Sequence, residues 1–259
     1  MSQGFVYRTR LIFYYKRLSA GPDFLMWRLK GSPPRRIPHL VKRAVVREYA
    51  ERFHLPVLIE TGTQYGQMIN AVRKQFREVY TIELDDTNYS QAVKNFAGHK
   101  NVHVIHGDSA VELPRLLKSI ADPCLFWLDG HSGKTPIMDE LRAIFSHKPH
   151  QHVSLIDDAH CFGTSRYYPA LDAVKELTRQ MNPGATVEVR DNIIRIHNEN
   201  SARQDRFRLG CDSGAIRPQR LTKEAFTDDR SAVRTPHGVS EYGTASPESG
   251  VAAHLSPPV

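Results

Sequence analysis

Short apolar runs typical of β-strands alternate with longer stretches of helical periodicity through the middle of the chain. The runs predict seven strands, at 57–60, 79–84, 102–106, 125–129, 153–157, 186–190 and 193–197. Apolar residues three and four positions apart predict helices at 65–76, 87–97, 110–120, 136–146 and 169–181. This alternation predicts an α/β fold with a mostly parallel sheet covered by helices on both faces.

The last two predicted strands are connected differently from the others. Only Asp191 and Asn192 separate them, which fits a β-hairpin and is too short for a parallel crossover. The sheet is therefore expected to end in an antiparallel pair.

The two ends of the chain differ in composition from the middle. Residues 1–50 hold 11 Lys and Arg against two acids and so carry +9 of charge, whereas the rest of the chain carries about −2 of the net +7. We predict a basic arm with a lead-in helix in 1–55, a folded domain in 56–200 and a disordered tail in 201–259. The arm either contacts an anionic surface peripherally or is a solvated basic face.

Cysteine content and hydropathy bear on the compartment. The three cysteines form no CxxC pair, and no apolar run is long enough to span a membrane. A secretory signal is not recognisable. These features predict a cytoplasmic protein.

Polar residues follow each of the first five predicted strands. In a parallel sheet these positions share one edge, where ligands bind near the point at which the strand order reverses. Five successive strand ends that carry carboxylates predict a polar ligand site, because a buried acid needs partners. The residues are Glu60, Thr61, Gly62, Thr63 and Gly66 after strand one, Glu83 after strand two, Asp108 and Ser109 after strand three, Asp129 after strand four, and Asp157 and Asp158 after strand five.

The motifs ETGTxxG, IEL, HGDS, LDGH and LIDDAH follow one another in this order. They resemble the class I S-adenosylmethionine-dependent methyltransferases, whose Rossmann-like sheet has seven strands and a terminal antiparallel hairpin. The likeness covers about 56–198. The lead-in PHLVKRAVVREYAERF and the pairing of LDGH with TPIMDEL are similar to a little-characterised methyltransferase-domain group, which extends the likeness to about residue 37.

The resemblance implies roles for these positions. The turn Glu60, Thr61, Gly62, Thr63 and Gly66 would line the methionine and ribose part of S-adenosylmethionine. Glu83 would bind the ribose hydroxyls, Asp108 and Ser109 would meet the adenine, and Asp129 would sit beside the methyl group. The segment between His131 and Thr135 is only SGK, shorter than in related sequences, so the acceptor pocket is expected to differ.

Two further features concern catalysis. Methyl transfer to a hydroxyl needs a base, so His131 and His160, which follow strands four and five, are candidates; each is otherwise a hydrogen-bonded loop histidine. Asp129, Asp157 and Asp158 resemble the magnesium ligands of catechol-type O-methyltransferases, and a bound Mg²⁺ would activate a hydroxyl. The alternative is that Asp157 and Asp158 order the following loop. The histidine tract 147–152 is predicted to be a solvated loop.

The preferred hypothesis is O-methylation of a small-molecule or sugar hydroxyl. One alternative is an NAD-dependent oxidoreductase, although the turn after strand one lacks the GxGxxG spacing. Another is a non-catalytic domain that binds nucleic acid or membrane through its basic arm; no RNA-binding motif supports a nucleic-acid partner. The oligomeric state is not predicted.

Overall fold

A computed structural model describes residues 21–31, 33, 37–130, 135–148 and 151–198. The predicted arm before residue 21, the predicted tail and His131 therefore lie outside the described residues. All seven strands form one sheet in the order β3-β2-β1-β4-β5-β7-β6. The first five strands run parallel, and β7 is antiparallel to both β5 and β6. The predicted mostly parallel sheet with its terminal hairpin is confirmed.

The strands are β1 (Val57–Thr61), β2 (Glu78–Glu83), β3 (Val102–His106), β4 (Cys124–Leu128), β5 (Val153–Ile156), β6 (Thr186–Arg190) and β7 (Ile193–His197). The helices are α1 (21–29), α2 (His39–Arg52), α3 (Gln67–Val72), α4 (Asp86–Phe96), α5 (Ser109–Leu117), α6 (Ile137–Ser146) and α7 (Leu171–Met181). Two short 3₁₀ turns lie at Arg73–Gln75 and Ala159–Cys161.

Most boundaries agree with the pattern of the sequence, with two exceptions. The helix predicted over 65–76 is only α3, followed by a 3₁₀ turn, and α1 was not predicted. Among the described residues, no helix is both long and apolar enough to cross a membrane.

Two apolar cores lie on opposite faces of the sheet. Strand β1 contributes to both, since Leu58 packs in one cluster while Val57 and Ile59 pack in the other. Such alternation follows from the two-residue period of a strand, and it requires helices on both faces. The lead-in helix α2 belongs to the first core, where its residue Tyr49 is fully buried. The domain boundaries nevertheless stay a prediction.

The strand order reverses between β1 and β4. Strand β2 and its neighbour β3 lie on one side of β1, whereas β4 and β5 lie on the other. Connections that diverge in this way leave a crevice at the carboxyl ends of the two central strands. The residues after β1 and β4 therefore face the position where an α/β sheet binds its ligand.

The histidine tract is partly structural, so its prediction as a solvated loop was wrong for His147 and His152. The Cys124 backbone N–H donates to His152 Nδ1 over 3.0 Å, so His152 carries its proton on Nε2, which lies 2.9 Å from His147 Nδ1. His147 Nε2 then donates to the Ile120 carbonyl over 2.9 Å. These bonds join the start of β4 to the end of α6 at the edge remote from the site.

Candidate active site at the carboxyl ends of the strands

Backbone hydrogen bonds continue beyond the strand ends and hold the connecting turns together. The Gly62 N–H donates to the Ile82 carbonyl over 2.9 Å, and the Asp129 N–H donates to the Thr61 carbonyl over 3.0 Å. The Asp157 N–H donates to the Leu128 carbonyl over 3.0 Å. The turns after β1, β4 and β5 are therefore fixed relative to one another by the sheet itself.

The turn after β1 requires glycine at two positions. Gly62 has φ +86°, and a Cβ there would lie 2.6 Å from the Asp129 carbonyl oxygen, which is backbone and cannot swing away. Gly66 has φ +65° immediately before α3, and a Cβ there would meet the Phe96 ring at 2.6 Å. Positive φ and close approach both exclude a side chain. The turn after β1 thus packs directly against the turn that carries Asp129.

Glu60 is a buried acid beneath this turn, with only 2% of its surface exposed. Thr81 Oγ1 donates to Glu60 Oε2 over 2.8 Å, and Thr63 Oγ1 lies 2.5 Å from Thr81 Oγ1. Burial raises the pKa of Glu60 well above its usual value; the bond from Thr81 lowers it, and the charges of Asp129 and Glu83 raise it further. Glu60 can therefore accept a proton or stabilise a cationic ligand.

Glu83 closes the other side of the turn. The Gln64 N–H donates to Glu83 Oε2 over 2.7 Å, and the Asp85 N–H donates to Oε1 over 3.0 Å. Each carboxylate oxygen keeps a second lone pair, because an ionised carboxylate accepts about four hydrogen bonds. The carboxylate is thus held rigidly while it can still accept bonds from a diol.

Asp108 and Ser109 begin α5. The Ala110 N–H donates to Asp108 Oδ1 over 2.9 Å, so Asp108 is the N-cap of the helix. The Gly107 N–H donates to the Glu83 carbonyl over 2.9 Å, which brings this loop beside Glu83. Leu84 is 53% exposed next to that acid and offers an apolar surface. An adenine-binding role for Asp108 and Ser109 stays a prediction.

The three aspartates predicted as magnesium ligands lie around a lysine. Lys42 of α2 forms an ion pair and a hydrogen bond with Asp157 Oδ2, and Asp157 is only 1% exposed. The Asp158 N–H donates to Asp157 Oδ1 over 2.8 Å, so both oxygens of Asp157 have a partner. Burial lowers the pKa of Lys42, but the charge and hydrogen bond of Asp157 and the charges of Asp129 and Asp158 raise it overall.

Burial and the Asp129 charge raise the pKa of Asp157 to about 6 despite the opposing influence of Lys42. Within the residues that the structure describes, no three His, Cys, Asp or Glu side chains are arranged to hold a metal ion. A divalent cation needs carboxylate oxygens that are free to coordinate it. The magnesium site predicted on Asp129, Asp157 and Asp158 therefore does not fit this arrangement.

His160, one of the two candidate bases, is oriented by the hairpin turn. Asn192 Oδ1 accepts from the His160 backbone N–H over 2.9 Å and lies 3.0 Å from His160 Nδ1. The backbone donor requires the amide oxygen at this position, so Nδ1 must carry the ring proton. His160 Nε2 is then the basic nitrogen, 3.6 Å from Cys161 Sγ. The other candidate, His131, lies outside the described residues.

Three residues at the site were missed at the level of sequence. Lys42 precedes the buried Val45, Val46 and Tyr49 of α2 by three, four and seven positions, so helical periodicity already placed it on the buried stripe. Asn192 could not be recognised as a site residue from the sequence, because asparagine is already expected in a two-residue hairpin turn. Burial and neighbouring acidic groups, including Asp158, raise the pKa of Tyr168.

No family model matches the sequence, and no curated protein matches it. Solved structures are similar in fold. The SAH-bound methyltransferase PaMTH1 of Podospora anserina has a TM-score of 0.48 at 15% identity, over 77% of this chain and 97% of that chain. The O-methyltransferase TomG of Streptomyces achromogenes, in complex with SAM, has a TM-score of 0.48 at 14% identity, over 69% of this chain and 87% of that chain. The Bacillus cereus O-methyltransferase in complex with SAH has a TM-score of 0.47 at 14% identity, over 70% of this chain and 91% of that chain.

Proposed function

We propose that this chain is an S-adenosylmethionine-dependent methyltransferase that transfers the methyl group to an oxygen of a small-molecule or sugar hydroxyl. The observation that carries the proposal is the glycine turn after β1, which lies against the turn of Asp129 while Glu60 and Glu83 flank it. Acids on both sides of a turn that admits no side chain at Gly62 or Gly66 suit a cationic nucleoside ligand.

Individual residues fit the parts of the cofactor. Glu83, whose carboxylate is held by two backbone N–H groups, would accept hydrogen bonds from the ribose hydroxyls. Exposed Leu84 would pack on the adenine, beside Asp108. Asp129 would place negative charge near the sulfonium and ammonium groups. A cationic ligand would also favour the charged form of buried Glu60, against the burial that raises its pKa.

When bound, the cofactor supplies a methyl group on a positively charged sulfur, and the protein's task is alignment and proton removal. His160 is suited to the second task. Its Nδ1–H donates to Asn192, so Nε2 is available to take the proton of the acceptor hydroxyl. Asn192 is a positioning residue, because it fixes both the ring and the tautomer of the base.

The alternatives have less support in the structure. A dinucleotide-binding oxidoreductase is disfavoured because the sheet ends in the antiparallel pair β6–β7, as well as by the spacing of the glycines. The non-catalytic alternative, binding of nucleic acid or membrane through the basic arm of residues 1–55, stays a prediction, because the arm before residue 21 lies outside the described residues. Within α2, Lys42 is already paired with Asp157, and Arg47 donates to the Ala71 carbonyl over 2.7 Å. A cytoplasmic location stays part of the proposal.

The test is calorimetric titration of S-adenosylmethionine, S-adenosylhomocysteine and NADH into the full chain. We expect saturable binding of the first two and none of NADH. Glu83→Ala should weaken binding at least about tenfold, since it removes hydrogen bonds to a charged group worth about 1.5–3 kcal/mol. Glu78→Ala, which removes a partly exposed acid from the opposite end of the same strand, is the matched control. Tight NADH binding, or equal loss in both variants, would refute the proposal.

A further inference from the structure

The acidic cluster formed by Asp129, Asp157 and Asp158 contains a cation that belongs to the protein. Lys42 reaches the cluster from α2, and its side chain is 17% exposed whereas that of Asp157 is 1% exposed. The charges of Asp129 and Asp158 also act on the Lys42 ammonium. The ammonium is thus bonded to Asp157 and lies near enough to the other two carboxylates for their charges to act on it.

The position of this ammonium is set by the core of the protein. The next turns of α2 bury Val45, Val46 and Tyr49, each at most 4% exposed, so the helix is fixed against the sheet. Lys42 lies on the same stripe and has to point toward the strand ends. The fixed helix and the bond to Asp157 therefore hold the ammonium at the cluster.

The same contact excludes a second cation. Asp157 uses Oδ2 for Lys42 and Oδ1 for the Asp158 N–H. Magnesium requires oxygen ligands at about 2.0–2.1 Å in nearly octahedral geometry, and an ammonium bonded to one of those ligands repels it. Metal entry would require Lys42 to leave a buried carboxylate, which costs more than the exchange of a water.

We propose that Lys42 is the resident cation of the Asp129–Asp157–Asp158 cluster and that it takes the place of a divalent metal ion there. The consequence of this proposal for catalysis rests on the proposed function. If the site transfers a methyl group, the transfer needs no metal ion, and the acceptor oxygen meets the Lys42 ammonium in its place. The bond to Asp157 uses one of the three N–H groups of that ammonium. A single hydroxyl is then sufficient for recognition, without the chelating diol that a metal ion would favour.

Manganese(II) is the probe, because its electron paramagnetic resonance signal reports binding without any assay of activity. The metal is titrated into the full chain, into Lys42→Ala and Lys42→Met, and into Arg47→Ala. The last variant loses one exposed positive charge from the same helix and leaves the cluster intact. Circular dichroism first establishes that each variant is folded.

We expect the natural chain and Arg47→Ala to bind no stoichiometric Mn²⁺. In a folded Lys42 variant the carboxylates lose their counter-ion and are free to turn toward a metal ion, so this variant should gain about one Mn²⁺ per chain, and adding Asp157→Asn should remove it. Stoichiometric binding by the natural chain that depends on Asp157 would overturn the proposal. So would folded Lys42 variants that bind none.

The cofactor titration separates this inference from the proposed function. A chain that binds no S-adenosylmethionine but gains Mn²⁺ on loss of Lys42 would refute the methyltransferase and leave the resident cation standing. A chain that binds S-adenosylmethionine but whose folded Lys42 variants gain no Mn²⁺ would refute the resident cation and leave the methyltransferase standing.

Discussion

Replacement of Lys42 by methionine isolates the charge of the buried pair with Asp157. Methionine keeps most of the side-chain length and apolar contact but removes the ammonium. Asp157 is 1% exposed, so solvent cannot replace the lost partner. The variant must then either bury an uncompensated carboxylate or hold a proton on it.

The choice between these two outcomes depends on pH. Burial and the Asp129 charge raise the pKa of Asp157 to about 6 with Lys42 present, and Lys42 acts to lower that pKa. Without Lys42 the pKa rises further. A raised pKa of an acid means that stability is greatest at low pH and falls as pH rises through the folded-state value. The variant starts to lose more stability than the natural protein only above about pH 6.

The size of the difference follows from linkage. One unit of pKa corresponds to about 1.4 kcal/mol, so the gap opens by at most that amount per pH unit. It reaches up to about 3 kcal/mol at about pH 8, which agrees with about 3–5 kcal/mol for breaking a buried ion pair. At about pH 5.5 only the loss of packing remains.

The assay is urea unfolding of both proteins across this range of pH, followed by circular dichroism. The control is Asp157→Asn with and without Lys42→Met, where the gap should be independent of pH because the titrating group is absent. A gap between Lys42→Met and the natural protein that is constant from about pH 5.5 to about pH 8 would refute the reasoning.

Two further predictions concern the turn after β1. Glu60→Gln should gain stability relative to the natural protein as pH rises above 4.5, because burial raises the pKa of Glu60 and the stability contribution of its protonated form is lost with rising pH. Gly62→Ala should lower the free energy of unfolding by about 2 kcal/mol or more and weaken S-adenosylmethionine binding, since φ is +86° and the added Cβ meets backbone. Urea unfolding measures the stability of both variants, and calorimetry measures S-adenosylmethionine binding by Gly62→Ala.

Each of these has its own control. Glu78→Gln changes an acid at the other, exposed end of β2 and should show no comparable gain, and a gain of equal size would point to net charge in place of burial. Gly98→Ala places a methyl group where nothing lies within 4 Å. Equal effects of the two glycine variants would contradict the close approach of the turns.

Much of the architecture was predictable from local pattern. The hairpin followed from a two-residue connection, and in the structure Asp191 and Asn192 adopt φ +52° and +56°, as a type I′ turn requires. Strand β1 ends at Thr61, beside the acid expected there. The helix predicted over 65–76 starts only at Gln67, because Gly66 holds a left-handed φ of +65°, and it continues after Val72 as the 3₁₀ turn Arg73–Gln75.

The candidate site also has residues that the sequence predicted and contacts that only the structure showed. Glu83 and the glycines were recognised because each follows a strand, and parallel strands bring their ends to one edge. Asp157 was recognised too, but its partner was not. Lys42 and Asp157 are 115 residues apart, and no local pattern states which side chain a buried acid meets.

The sequence by itself determined the order of strands and helices, the hairpin and the edge of the sheet at which polar residues gather, because these depend on spacing over a few residues. Only the tertiary structure decided what those residues do to one another. It placed the ammonium of Lys42 where a metal ion was expected, and it used Asn192 to hold His160. Both contacts join elements that are distant in sequence, and they exist because packing against one sheet brings those elements together.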